Sequence, residues 1–154
     1  MNYSMRPATV EDGEFLYRLY ASTREDIASL GWNATQREPF LRMQFNAQQR
    51  WYETTYPQAE HQMIESGGAP IGRIIVSFAE VANLLVDISM LPEFRSAGIG
   101  TELIQKLIRA SREQGKSVRL QVLKTNRAQT LYLRLGFAIV AQDQLYLQMQ
   151  TSKN

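Results

Sequence analysis

The sequence predicts a single domain, residues 1–154, of the α/β (α+β) class: a mostly antiparallel, mixed sheet of about seven strands flanked by four helices. Three observations carry the prediction. First, three β-rich segments follow one another directly, 61–66, 71–80 and 84–90, with turn signals and no helical pattern between them, which makes them antiparallel neighbours. Second, a long amphipathic helix separates Met90 from a further strand, as in a crossover connection. Third, a chain of 154 residues with 44% apolar composition, undivided by a linker, repeat or low-complexity tract, can bury one core of ordinary domain size.

The elements follow in order. Residues 3–8 read as a short first strand. Thr9 offers an N-cap to the first helix, with Glu11 and Asp12 where the helix dipole favours negative charge. Phe15, Leu16, Leu19 and Tyr20 supply that helix with an apolar face, and Gly31 ends the region. Thr35 and Glu38 form a capping box for a second helix, which carries Phe40, Leu41, Phe45 and Trp51 and stops at Pro57. Gly67-Gly68-Ala69-Pro70 is a turn by composition and joins two strands as a hairpin. The next strand, 84–90, is apolar enough to be central, interrupted only by Asp87 and Ser89.

A third helix spans 98–114, with Ile99, Leu103, Ile104, Leu107 and Ile108 on one stripe and Gly115 closing it. Residues 117–123 alternate Val118, Leu120 and Val122 with Arg119 and Gln121, the period of a strand. A short helix over 127–135 places Ala128, Leu131, Tyr132 and Leu135 on one face and stops at Gly136. Segments 137–141 and 145–149 make a closing hairpin, whose edge is where two chains could pair as a homodimer.

Composition narrows the chemistry. Net charge is only +2, from 17 basic and 15 acidic residues that are spread along the chain, so no nucleic-acid footprint is expected. There is no cysteine and a single histidine, His61, which leaves no disulfide framework, no thiol nucleophile and no metal site of the usual ligands. No run approaches the roughly 20 apolar residues of a membrane span, and no signal-peptide pattern opens the chain; a cytoplasmic protein is expected.

One segment points to a ligand. Arg95-Ser96-Ala97-Gly98-Ile99-Gly100 lies between the strand ending at Met90 and the long helix. Main-chain N–H groups at a helix N-terminus form an anion site, and glycines let a bulky phosphate approach the backbone. Arg95 can add a charge-assisted hydrogen bond, and Thr101 a hydroxyl. Glycines also cap helices and permit close packing, so the pattern alone does not decide the matter. Two rival phosphate motifs are absent: there is no Gly-Lys-Ser/Thr, and Leu103 stands where a dinucleotide fingerprint has its third glycine.

The run Leu91-Pro92-Glu93-Phe94-Arg95-Ser96-Ala97-Gly98-Ile99-Gly100 resembles the acyl-CoA signature of the GNAT superfamily of N-acyltransferases, with its Arg/Gln-x-x-Gly-x-Gly/Ala core. Leu131-Tyr132-Leu133-Arg134-Leu135-Gly136-Phe137 is similar to that family's downstream Leu-Tyr-x-x-x-Gly-Phe segment. The resemblance covers nearly the whole chain, though residues 20–60 match only in being helical.

It implies acetyl-CoA as co-substrate and a small-molecule or peptide amine as acceptor. It further implies that main-chain groups of Ile88 and Met90 meet the acyl and pantetheine portion, and that Arg95, Ser96, Ala97, Gly98, Ile99, Gly100 and Thr101 wrap the pyrophosphate. Asn126 would contact the pantetheine arm, and Tyr132 would donate a proton to the leaving thiolate. Tyr132 also lies on an apolar helix stripe, where a core role alone would account for it.

With no cysteine and no Gly-x-Ser-x-Gly elbow, direct attack by the amine is expected rather than an acyl-enzyme. Several members of the family carry a Glu or His base on the central strand; the matching positions here are Leu84 and Val86, which accept no proton. Asp87 is nearby, but strand alternation is expected to point it to the opposite face, into a structural ion pair. Glu80 is a second weak candidate, and a lone His61 is more readily explained as packed or exposed than catalytic. The missing base keeps a second reading open, a non-catalytic acyl-CoA-binding or regulatory module. Aromatic residues of the first two helices, from Tyr17 to Tyr56, could line an acceptor pocket but are mostly expected in the core.

Overall fold

The structure is a computed structural model describing residues 2–154. The chain runs β1 (Ser4–Pro7), α1 (Gly13–Ser22), a one-turn α2 (Glu25–Ala28), α3 (Ala34–Thr55), β2 (Glu60–Ser66), β3 (Ala69–Ser77) and β4 (Ala82–Met90). It continues with α4 (Ile99–Glu113), β5 (Ser117–Leu123), α5 (Ala128–Arg134), β6 (Ala138–Gln142) and β7 (Tyr146–Gln150). The seven strands form one sheet in the order β1-β2-β3-β4-β5-β7-β6. Every pairing is antiparallel except β4 with β5, the two strands joined through α4.

Two apolar clusters place the helices. Phe15, Leu16 and Leu19 of α1 and Leu41 and Phe45 of α3 pack with Met63 of β2. Leu103, Ile104 and Ile108 of α4 and Tyr132 of α5 pack with Ile74, Leu85, Val118 and Leu147 of the sheet. Residues 63 and 64 of one strand thus belong to different clusters, because neighbouring side chains of a strand point to opposite faces. The sheet is therefore the middle layer, with α1 and α3 on one side and α4 and α5 on the other.

Two helix starts differ from expectation. The cap of α3 is Asn33, whose Oδ1 accepts from Gln36 N at 3.0 Å while Gln36 Oε1 accepts from Asn33 N at 3.0 Å. Thr35 is already helical, and a capping residue must have an extended backbone, which Asn33 has at φ −78°, ψ 172°. Thr9, by contrast, caps a single 3-10 turn, Val10–Asp12, and α1 proper begins at Gly13. Asp12 is diverted to a different task. Its carboxylate takes Arg6 Nη1 and Nη2 at 2.9 and 2.7 Å and Thr9 N at 2.8 Å, tying β1 to the start of α1.

The two edges of the sheet are unlike. Edge strand β1 carries the ion-paired Arg6 and Pro7, whereas every residue of β6 is exposed, Ile139 and Val140 included.

Candidate active site

The chain leaves β4 through a 3-10 turn, Pro92–Phe94, and reaches α4 by a loop in which Ser96 (φ 60°) and Gly98 (φ 86°) are left-handed. Gly98 is the N-cap of α4, and it needs that conformation to turn the chain into the helix; a Cβ there would meet no neighbour, so backbone freedom rather than packing explains the glycine. With no side chain to accept, Gly98 leaves the first turn of the helix uncapped. Among the described residues, none of the main-chain N–H groups from Ser96 to Thr101 finds an acceptor; the first N–H served is that of Glu102, by Gly98 O at 3.0 Å. Residues 95–98 are exposed. Consecutive unserved amides at a helix N-terminus, backed by the helix dipole, form a nest for an anion.

The Arg95 side chain turns back from this nest. Its Nε donates to Met90 O at 3.0 Å, and its Nη2 reaches Ser22 O and Oγ at 3.3 Å, fastening the loop to the end of β4 and to the end of α1. Thr101 stands in the first turn of α4, half-buried. Gly100 lies over Ile88: a Cβ on it would rest 3.9 Å from the Ile88 Cδ1, an ordinary contact, so the fold itself does not demand glycine at this position.

Beside the nest the sheet opens. Strands β4 and β5 pair only over Ala82–Leu85 with Ser117–Leu120 and part from Val86 onward. On its other side β4 stays paired with β3, where Leu91 N donates to Ile71 O at 2.8 Å. Antiparallel pairs alternate between bonded and non-bonded, so Gly72/Met90 and Ile74/Ile88 are the non-bonded pairs. The polar main-chain groups of Ile88 and Met90 therefore face the gap toward β5. Of these, Met90 O is already taken by Arg95, leaving the two N–H groups and Ile88 O.

The register carries a second consequence. Ser77 pairs with Leu84 and Ile75 with Asp87, so that Val86 is an extra, bulged residue. Ser77 and Ile75 share a face of β3, hence Leu84 and Asp87 share a face of β4. This overturns the expectation from simple alternation that Asp87 points away from Leu84. Asp87 stands on the α1/α3 side, where Oδ2 accepts from Arg73 Nε at 3.0 Å and Nη2 at 2.9 Å. Arg73, 2% exposed, also donates to Gln49 Oε1 at 2.9 Å and Gln48 Oε1 at 3.0 Å of α3, and lies 5.7 Å from the Tyr52 ring centroid. Each nitrogen of this desolvated guanidinium thus has an acceptor, while Asp87 Oδ1, on a side chain 21% exposed, has no hydrogen-bond partner among the described residues.

Tyr132 sits in α5, 8% exposed, with its ring edge-on to Phe137 at 5.6 Å. Burial, with the negative Asp87 adding to it, pushes the phenol up to about 12, so the hydroxyl keeps its proton throughout the neutral range. Asn126, exposed at the start of α5, accepts from Ala128 N on Oδ1 at 2.9 Å and keeps its Nδ2 hydrogens unused. In the chain fold, then, Ile88, Met90, the 95–101 loop and Tyr132 belong to one side of the β4/β5 gap. Asp87 approaches it from the other.

His61 lies on β2 opposite Ile75, with Nε2 buried and without a partner; burial first, and Arg73 second, bring its imidazole down to about 4. Glu80 is exposed in the turn after β3. The aromatic residues divide: Tyr17 and Tyr20 pack on Phe45 within the core, whereas Trp51, 55% exposed, packs with Tyr52 and Tyr56 at the end of α3. Sequence reasoning missed Arg73, a lone cation in a strongly apolar strand, which is itself the signal that could have found it. Among the described residues no group of three or more His, Asp or Glu side chains could hold a metal ion, and no helix is long and apolar enough to cross a membrane.

Comparison with known proteins gives a family. Residues 16–137 match the model of the acetyltransferase (GNAT) family. No curated protein matches the sequence. Among solved structures, the chain is similar to the PaiA N-acetyltransferase of Thermoplasma acidophilum in complex with coenzyme A, at 18% identity and TM-score 0.74, covering 99% of both chains. It is similar to an acetyltransferase from Thermus thermophilus, at 17% identity and TM-score 0.72, covering 97% of this chain and 96% of that one. It is also similar to Ard1 from Thermoplasma volcanium, at 22% identity and TM-score 0.64, covering 97% of each. At these identities the likeness is one of fold.

Proposed function

The chain belongs to the GNAT family of acetyltransferases, and on that premise we propose that it moves the acetyl group of acetyl-CoA onto a primary amine by direct attack. The observation that carries this reading is the run of six unserved amides from Ser96 to Thr101 at an exposed helix start, beside a strand whose polar groups open into a gap. Acetyl-CoA supplies an acetyl thioester, already activated because a thiolate is a tolerable leaving group.

The chain supplies position and protons. The 96–101 amides hold the diphosphate, with Arg95 fixing the loop in shape through Met90 and Ser22. The N–H groups of Ile88 and Met90 receive the developing negative charge on the acyl oxygen and orient the pantetheine arm, to which Asn126 offers Nδ2. The amine nitrogen bonds to the acyl carbon as the carbon–sulfur bond breaks. Tyr132 hands its proton to the departing sulfur, and the surplus proton of the amine leaves toward Asp87 Oδ1 or water. Asp87 enters this scheme because the bulge at Val86 brings it to the face where family members carry a base, while Arg73 restrains its other oxygen.

The test is calorimetry with coenzyme A on the wild type, Gly98→Asp and Gly98→Asn. Asn accepts the left-handed backbone without adding charge, so binding is expected to survive in Gly98→Asn and to fall by at least about tenfold in Gly98→Asp. Equal affinity in all three removes the loop from the argument. Thiol release from acetyl-CoA across a panel of small amines and peptide N-termini then identifies the acceptor; tight binding with no release from any amine favours a binding module instead.

A further inference from the structure

Between α1 and α3, beside the turn α2, lies an open groove of about 380 Å³ that includes no residue of the 95–101 loop or of the β4/β5 gap. Its walls carry three guanidiniums, Arg18, Arg24 and Arg37, against one carboxylate, Glu38, and its apolar lining includes Tyr17 and Leu41. The carboxylates around it are committed elsewhere. Glu14 holds Arg42 through two bonds of 3.0 and 2.9 Å, and Glu38 accepts from Arg42 Nε at 3.4 Å. Asp26 holds Arg24 through two bonds of 3.0 Å. Arg24 is held further by the Tyr20 hydroxyl at 2.6 Å and Gln44 at 3.1 Å, a prepositioned cation.

Arg18 and Arg37 have no such partner. Among the described residues neither makes an ion pair or a hydrogen bond, Arg18 lying only 5.6 Å from the Phe15 ring centroid. Arg18 acts on Glu14 only through space, and that carboxylate is already held by Arg42; two like charges without a bonded partner thus line one concave surface, one from each helix, and an anion seated between them reverses the sign of their interaction. The volume falls in the range of small-molecule sites, and an apolar floor with a cationic rim matches a ligand with an apolar body and a charged end.

We infer that this groove binds a small organic oxyanion, its carboxylate or phosphate held by Arg18 and Arg37 and its apolar part resting against Tyr17 and Leu41. The inference stands apart from the transferase reading, because no residue of the groove belongs to the 95–101 loop or to the β4/β5 gap.

The experiment is titration of the 15N-labelled protein with phenyl phosphate, benzoate and uncharged phenol, following amide shifts of Ala21, Ala28 and Ala34. The amides of Ala97, Gly98 and Gly100 report the loop in the same spectra, so binding at one place is read separately from binding at the other. Phenyl phosphate, benzoate or both should shift the groove amides in the wild type, and whichever binds names the anion. In Arg18→Gln/Arg37→Gln the affinity should fall by at least about tenfold, with raised salt having the same direction of effect. Both positions are solvent-accessible, so the double variant is expected to melt within a few degrees of the wild type. Shifts that persist in the double variant, that phenol reproduces, or that never appear with either anion overturn the inference.

Discussion

Arg73 of β3 and Asp87 of β4 form an ion pair between neighbouring strands on the α1/α3 side of the sheet: 2.9 Å from Nη2 to Oδ2, with Arg73 2% exposed. Their spacing along the sheet is diagonal, since Arg73 pairs with Ser89 and Asp87 with Ile75. Gln48 and Gln49 complete the shell of acceptors from above.

Removing one partner of such a pair strands the other. Arg73→Met should therefore destabilise by about 3 kcal/mol, read as a lowered denaturation midpoint, and Arg73→Lys should recover little because an ammonium cannot reach Asp87, Gln48 and Gln49 together. If Arg73→Met is as stable as the wild type, the network holds nothing together. Asp87→Asn, which keeps an acceptor for Arg73, separates the two tasks assigned to Asp87: transfer should slow at neutral pH more than stability falls.

Tyr132→Phe should reduce turnover by about a hundredfold while leaving the KM for acetyl-CoA within about threefold, the pattern of a lost proton donor rather than lost binding. Because burial holds the phenol up to about 12, the wild-type rate should show no alkaline limb from Tyr132 below about pH 11. A rate unchanged by the substitution assigns Tyr132 to the core alone.

Gly72 is where β3 passes closest to the end of β4. A Cβ on it would overlap the Ser89 carbonyl oxygen and lie 2.7 Å from Met90 Sδ. Gly72→Ala should thus cost about 1–3 kcal/mol and displace the residues that present their N–H groups to the gap, weakening coenzyme A binding as well. A variant with wild-type melting and wild-type affinity would show that the strands can separate there freely.

Stability should fall in two steps on acidification. The folded chain holds His61 down to about 4, whereas in the unfolded chain it titrates near 6.5; between those values the unfolded state takes a proton that the folded state refuses, so stability drops as pH falls from 6.5 to 4. Asp12, held down to about 2 first by Arg6, contributes stability that is present above about pH 4 and lost as pH falls toward 2. Urea midpoints between pH 7 and pH 3 test both: His61→Gln should flatten the upper step and leave the lower one. A wild-type midpoint that stays level from pH 7 to pH 4.5 contradicts the burial of His61.

Much of this molecule was legible in the sequence because the relevant signals are local. Period two in 117–123, the apolar stripe of the long helix and glycines at its two ends each report what a few neighbouring residues can do, and β5 and α4 appear within a residue of where they were expected. The start of α4 was legible for the same reason, although Gly98 is its left-handed N-cap and not, as expected, its first helical residue.

What the tertiary structure alone decided depends on a second chain segment. Which face Asp87 takes follows from the register of β4 on β3, where one bulged residue at Val86 reverses the parity of everything beyond it; alternation within β4 carries no trace of that. Whether Arg95 reaches toward a phosphate or back to Met90 and Ser22 depends on how α1 ends beside the loop, 73 residues away in sequence. The cap of α3 illustrates the same division on a small scale, since Asn33/Gln36 and Thr35/Glu38 are equally good patterns and only the packed backbone chose between them. Neighbouring residues determine what each segment can form; the direction in which a charged side chain finally points is set by the partners that folding brings to it.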